Sequence, residues 1–163
     1  MSRMRALQKT QAGFSLVEIM VAVLVLSLAF LSLGALAARS LSSNGSAMSR
    51  SVATIAAYSI LDAMRADRPN AEGGSYNTPI STPIAANNCP AADTTLASVQ
   101  LKLWCDKQLG DPALGGHVAT TTGEISCNAA GTCTVIIKWD DSRNGNVPGT
   151  SDTIQQVTTT GML

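Results

Sequence analysis

The sequence predicts an α+β protein: a long N-terminal helix, transmembrane in its first half, packed through its second half on a small antiparallel β-sheet. Three observations carry this. Residues 14–38 hold a single charge, Glu18, and follow a leader whose charges are Arg3, Arg5 and Lys9. No proline interrupts the chain from there until Pro69, and large apolar residues keep recurring at helical steps. Beyond Pro69 the pattern changes to short β-branched runs separated by Gly, Asn and Pro, and all four cysteines lie in that part.

The 25 residues of 14–38 exceed the roughly 20 apolar residues that span a bilayer core. Their basic flank, residues 1–13, stays on the cytoplasmic side, so the bulk of the chain faces the periplasm or exterior. An ionisable group in such a stretch costs about 2.5–3.5 kcal/mol on insertion scales and marks function, with a partner to be found. Cleavage after Gly13 would free an amine on Phe14, four residues from Glu18. In a polymer of such helices the amine of one subunit can neutralise the carboxylate of its neighbour. The rival reading is a secretory signal peptide cut after Ala35-Leu36-Ala37. Its apolar core would be too long, since such cores run about 7–15 residues, and it would gain nothing from a buried carboxylate.

The helix is predicted over residues 14–66. Gly34, Gly45 and the Ser/Asn-rich stretch 40–46 soften its middle, where a bend or local unwinding is expected. At about 1.5 Å per residue it would reach roughly 80 Å, so its first half is expected to project as a spine that packs with other chains. In the second half, Met48, Val52, Ile55, Tyr58 and Leu61, widened by Ile60 and Met64, form the face expected to lie on the sheet. Arg50, Asp62, Arg65, Asp67 and Arg68 read as a solvated or interfacial side. Pro69 ends the helix, because the residue before a proline avoids helical geometry. The domain organisation is thus a leader (1–13), an assembly half (14–38), an amphipathic half (39–68) and a globular head (69–163).

Residues 70–93 read as loop. Thr94 or Thr95 caps a second helix running to about Leu109, with Leu96, Val99, Leu103 and Trp104 as its apolar side and Gly110 and Pro112 as its stop. Strand candidates are a weak run at 118–122 that continues through Cys127, the β-branched run 132–139, and 153–160. The cysteines Cys89, Cys105, Cys127 and Cys133 read as two disulfides of an exported domain. Four cysteines allow three pairings. Local structure favours Cys127–Cys133, flanking a hairpin, and Cys89–Cys105, pinning the loop to the second helix.

Without the leader, eight basic side chains face eleven acidic ones, a balance of −3, which argues against a nucleic-acid-binding face. No cysteine pair has zinc-ligand spacing and the one histidine, His117, reads as a surface residue, so no metal or other cofactor is expected. No nucleophile, phosphate-loop or dinucleotide motif occurs, so neither an enzyme nor a small-molecule substrate is expected. Asp140-x-Ser142-x-Asn144-Gly145 matches the opening of a calcium loop, but the closing position is Ser151, with Asp152 one residue late. Trp104 and Trp139 read as core residues, with contact to a neighbouring subunit as the functional alternative.

Gly13-Phe14-Ser15-Leu16-Val17-Glu18, with its basic leader and apolar helix, resembles the N-terminal signature of type IV pilins and pseudopilins. The resemblance implies the pilin fold, cleavage after Gly13 by a membrane prepilin peptidase, N-methylation of Phe14, and a role for Glu18 in registering subunits. Residues 56–68 followed by Gly73-Gly74-Ser-Tyr76, and the run 135–143 with Trp139, resemble PilV-class minor pilins, the type IV pilus modification proteins. Ala63 and Asp67 depart from the Arg and Asn of that pattern. The class implies a low-abundance subunit that joins other minor pilins and the major pilin in a priming or tip complex. It implies effects on twitching motility or adhesion, and residence in the bacterial inner membrane before assembly into the extracellular pilus. A minor pseudopilin of a type II secretion system, and a membrane-anchored adhesive domain that never polymerises, are the alternatives.

Overall fold

A computed structural model describes residues 13–79, 82–142 and 153–163. The chain divides into two units, one ending at Arg39 and one beginning at Ser40. Helix α1, Leu16–Ala66, runs 51 residues, and the serine-rich stretch at 40–46 stays helical. The expected local unwinding there does not occur. Serine hydroxyls along α1 bond carbonyls three or four residues back, as Ser49 Oγ does to Gly45 O, so they do not compete the helix away.

The head is a four-stranded antiparallel sheet in the order β1-β2-β3-β4. Its strands are β1 (Ile84–Ala85), β2 (Thr122–Cys127), β3 (Thr132–Asp140) and β4 (Ile154–Met162). β1 is a strand where a loop is expected, and the weak run before Thr122 is not a strand. β3 alternates strictly between buried and half-buried, so Cys133, Val135, Ile137 and Trp139 all point to one side. There they join Ile125 and the inward face of α1 in one core.

That inward face corrects the expectation. Ser49, Ala53, Ala56, Ala57, Ile60, Leu61 and Met64 are buried, whereas Met48, Ile55 and Tyr58 are 59%, 62% and 52% exposed. Three alanines let the helix approach the sheet closely, and the larger apolar residues at the neighbouring helical steps are left outside. A second short helix, α2 (Arg68–Glu72), follows α1 with Pro69 in its first turn, where a missing N–H is tolerated. The turn beyond it is fastened by Tyr76, whose hydroxyl donates to Asp67 Oδ2 at 3.0 Å. Asn70 Nδ2 donates to the other Asp67 oxygen at 2.7 Å. Both Tyr76 and Asp67 are buried.

Helix α3, Leu96–Trp104, is capped by Thr95, whose hydroxyl accepts from Ser98 N, and it passes into a wider π-turn over Cys105–Leu109. Its expected apolar side is also corrected. Leu96, Val99 and Leu103 are exposed, and Ala97 and Trp104 face the core. Trp104 Nε1 donates to Ala56 O at 2.8 Å and ties α3 to α1. Its ring occupies the space where a Cβ on Gly123 would stand, which accounts for glycine within β2. Trp139 is buried as well; among the described residues its Nε1 is the buried side-chain polar atom without a partner. Two disulfides brace the head, Cys89–Cys105 and Cys127–Cys133. The second joins directly opposed residues at the end of the β2–β3 hairpin. The turn between them places Gly131 at φ +79°, a conformation that favours glycine.

Candidate processing and assembly site

Gly13, Phe14 and Ser15 are not helical; α1 starts directly after them. The Ser15 carbonyl accepts from Glu18 N at 3.0 Å and Ile19 N at 3.2 Å, which closes the first turn. The Gly13–Phe14 bond therefore lies in exposed, irregular chain immediately outside a helix, the kind of backbone a protease can enter. Phe14 is 80% exposed, and every residue from 13 to 41 is exposed in the isolated chain.

Glu18 is the acidic residue of the first turn of α1. The N-terminus of a helix carries a partial positive charge, so a carboxylate is favoured there. A free amine on Phe14 would add a full positive charge at the same end. In hydrocarbon no water screens either group, and each must find an opposite charge. The helix bearing Glu18 is long and apolar enough to cross a membrane, and the most apolar window is wholly unburied within the chain.

The other residues singled out in the sequence do not gather at this end of the chain. Cys89, Cys105, Cys127 and Cys133 are all spent in disulfides within the head. His117 is exposed, its Nδ1 3.0 Å from Ala86 O. Among the described residues no group of three His, Cys, Asp or Glu could hold a metal. Of the calcium-like run, residues 144, 145, 151 and 152 lie outside the described residues. Asp140 Oδ1 accepts from Ser142 N at 2.9 Å, and Asp141 Oδ2 accepts from Ser46 Oγ at 2.5 Å, joining β3's end to α1.

Reading the sequence missed two features of the head. One is the Asp67–Tyr76 bond. The other is the outward apolar stripe of α1, Met48, Ile55 and Tyr58, continued at the N-terminal side by Leu41. Met48, Ile55 and Tyr58 were visible as periodicity and were expected to face the sheet; which side of α1 does so depends on how closely the helix approaches it. A helix apolar on opposite sides is characteristically buried on both. Among the described residues only one side of α1 is buried.

Residues 8–34 match the model of a family described as the prokaryotic N-terminal methylation motif. The match covers residues 8–12, the Gly13–Phe14 bond, Glu18 and the first part of α1, as far as residue 34. It supports a type IV pilin or pseudopilin, and the motif implies processing by a prepilin peptidase and assembly with other pilins. The apolar helix is consistent with anchoring in the inner membrane. No curated protein and no solved structure matches the chain.

Proposed function

We propose that this chain is a structural, non-enzymatic minor pilin of the PilV class. It inserts into the inner membrane through residues 14–38 with its head in the periplasm. Prepilin peptidase cuts after Gly13 and the new terminus on Phe14 is methylated. The subunit is then drawn into a type IV pilus, where it takes part with other minor pilins and the major pilin in a priming or tip complex serving twitching motility or adhesion. The observation that carries the reading is Glu18, a single carboxylate in the first turn of a membrane-length helix, four residues beyond Phe14 in a matched methylation motif. The outward stripe of α1 supports it, since a filament core gives that stripe something to pack against.

The assembly step uses charge as registry. In a bundle from which water is excluded, a helix out of register leaves Glu18 facing no amine, and breaking a buried pair by removing one partner costs about 3–5 kcal/mol. The test is Glu18→Ala, followed in membrane fractions and in sheared pili. The expected result is normal membrane insertion with loss from the sheared fraction. Incorporation at the wild-type level would contradict the proposal. A minor pseudopilin shares this terminal site; a secretion defect in a deletion strain with intact twitching would move the assignment to that system.

A further inference from the structure

From the edge of the sheet we infer a second interaction site, separate from the membrane helix: the free side of β4 accepts an extended, uncharged, β-branched segment of another protein chain, bearing one carboxylate that meets Arg50. The inference stands on the sheet and the second half of α1 and does not depend on the pilin assignment.

The direction of the backbone groups follows from the register. β3 and β4 pair one-to-one from Thr132↔Met162 to Asp140↔Ile154. The same register continues at both ends, where Leu163 N bonds Gly131 O and Asp141 N bonds Thr153 O, each at 2.9 Å. In an antiparallel ladder, residues alternate between bonding the neighbour and pointing away from it. Thr153 and Leu163 bond toward β3, so Ile154, Gln156, Thr158, Thr160 and Met162 turn their N–H and C=O groups outward. Among the described residues one of these groups is taken, the Met162 carbonyl, which accepts from Arg65 Nε at 3.2 Å.

Proteins ordinarily blunt such an edge with charge, proline, a bulge or a cover. β4 reads Ile-Gln-Gln-Val-Thr-Thr-Thr-Gly-Met, without charge or proline, and its nine residues pair without a bulge. At the opposite edge β1 is only two residues long. A long, regular, uncharged edge is the template used in strand addition, where backbone bonds supply affinity and alternate side chains supply selectivity.

Charge decides what the incoming segment is. Arg50 Nη2 donates to Gln155 Oε1 at 2.5 Å, at the start of β4, and no carboxylate pairs with it among the described residues. Arg65, at the far end, already holds Asp62 at 2.6 Å. The edge is therefore neutral along its length with one unneutralised cation at its start. A second copy of β4 has no acid to offer Arg50. An uncharged strand with an acidic residue near one end fits both features.

The test uses the full chain in detergent micelles and synthetic nonapeptides of alternating Thr and Val with one Glu near either terminus. Bound peptide is expected to slow amide exchange of Ile154, Gln156, Thr158 and Thr160 by about tenfold or more, leaving the other strands unchanged. Replacing Glu by Lys in the peptide is expected to weaken binding about fivefold. N-methylation of alternate peptide amides is expected to abolish binding, and so is Thr158→Pro, which removes an outward N–H and leaves the bonds to β3 in place. Should Thr158→Pro not fold, Thr158→Lys with the N-methylated peptide decides the point. No slowing at millimolar peptide, or equal slowing by the N-methylated peptide, overturns the inference. So does protection that grows with protein concentration in the absence of peptide, which would make a second copy the occupant.

Discussion

A few polar side chains fasten the ends of the helices to the chain around them. Tyr76 and Asp67 fasten the end of α1 to the turn beyond it, and burial followed by the Asp67 bond and charge holds the Tyr76 hydroxyl above its ordinary value of 10.0. Because the folded pKa is raised, this contribution is whole below about pH 10 and is lost as the pH climbs above it. Tyr76→Phe should cost about 1.5–3 kcal/mol at neutral pH, the range for a hydrogen bond to a charged group. It should also flatten the alkaline limb of a urea-melt series, whereas an unchanged limb would place the alkaline sensitivity elsewhere. Asp93 shows the opposite sign. Its carboxylate accepts from Ser98 Oγ and from Thr95 N and Oγ1, and these bonds lower its pKa to about 2. The arrangement is intact above the ordinary value of 3.8 and loosens as the pH falls toward 2. A carboxyl carbon titration by NMR should find that midpoint, and a midpoint near 3.8 would mean these bonds to Asp93 are not formed. Glu18 was legible in the sequence because a charge in an apolar run stands out against its neighbours. Tyr76 and Asp67 were not, since a hydrogen bond between residues nine apart leaves no periodic trace.

At the level of elements, the sequence shows where helices and strands lie better than which way they face. The hairpin and the Thr95 cap are local chemistry, and the strands β3 and β4 fall where β-branched runs predict them, whereas β2 takes up only the continuation of the weak run at 118–122. The facing of α1 and α3 is set by neighbours distant in sequence. Trp104 fills the space above Gly123, which fixes α3's roll and turns Leu96, Val99 and Leu103 outward. The alanines of α1 decide its roll in the same way. Two substitutions separate the faces of α1. Ala57→Leu, on the buried face, should destabilise the head by about 1–3 kcal/mol through overpacking. Ile55→Ala, on the outer stripe, should change head stability by no more than about 0.5 kcal/mol and still reduce incorporation into filaments. Chemical denaturation beside a sheared-fraction blot reads both. Equal destabilisation by the two would mean that the outer stripe is buried within the subunit.

For the whole molecule, the α+β architecture of a long helix on a small antiparallel sheet followed from the sequence because each part has its own signature; the fourth strand, β1, did not. A membrane-length run declares itself by the near absence of charge, a sheet by β-branched periodicity, and a disulfide-braced head by an even number of cysteines confined to it. What the sequence did not reveal is the free edge of β4, since edge and centre strands differ by topology, not by composition. The division of labour proposed for the molecule is an apolar helix that assembles and a disulfide-braced head that selects partners. It depends on the new terminus at Phe14, the counter-charge proposed for Glu18. Mass spectrometry of the exported protein tests this most directly. The account predicts a chain that begins at Phe14 and carries one methyl group on its amine; a chain that retains its first thirteen residues, or begins at Ala38, contradicts it.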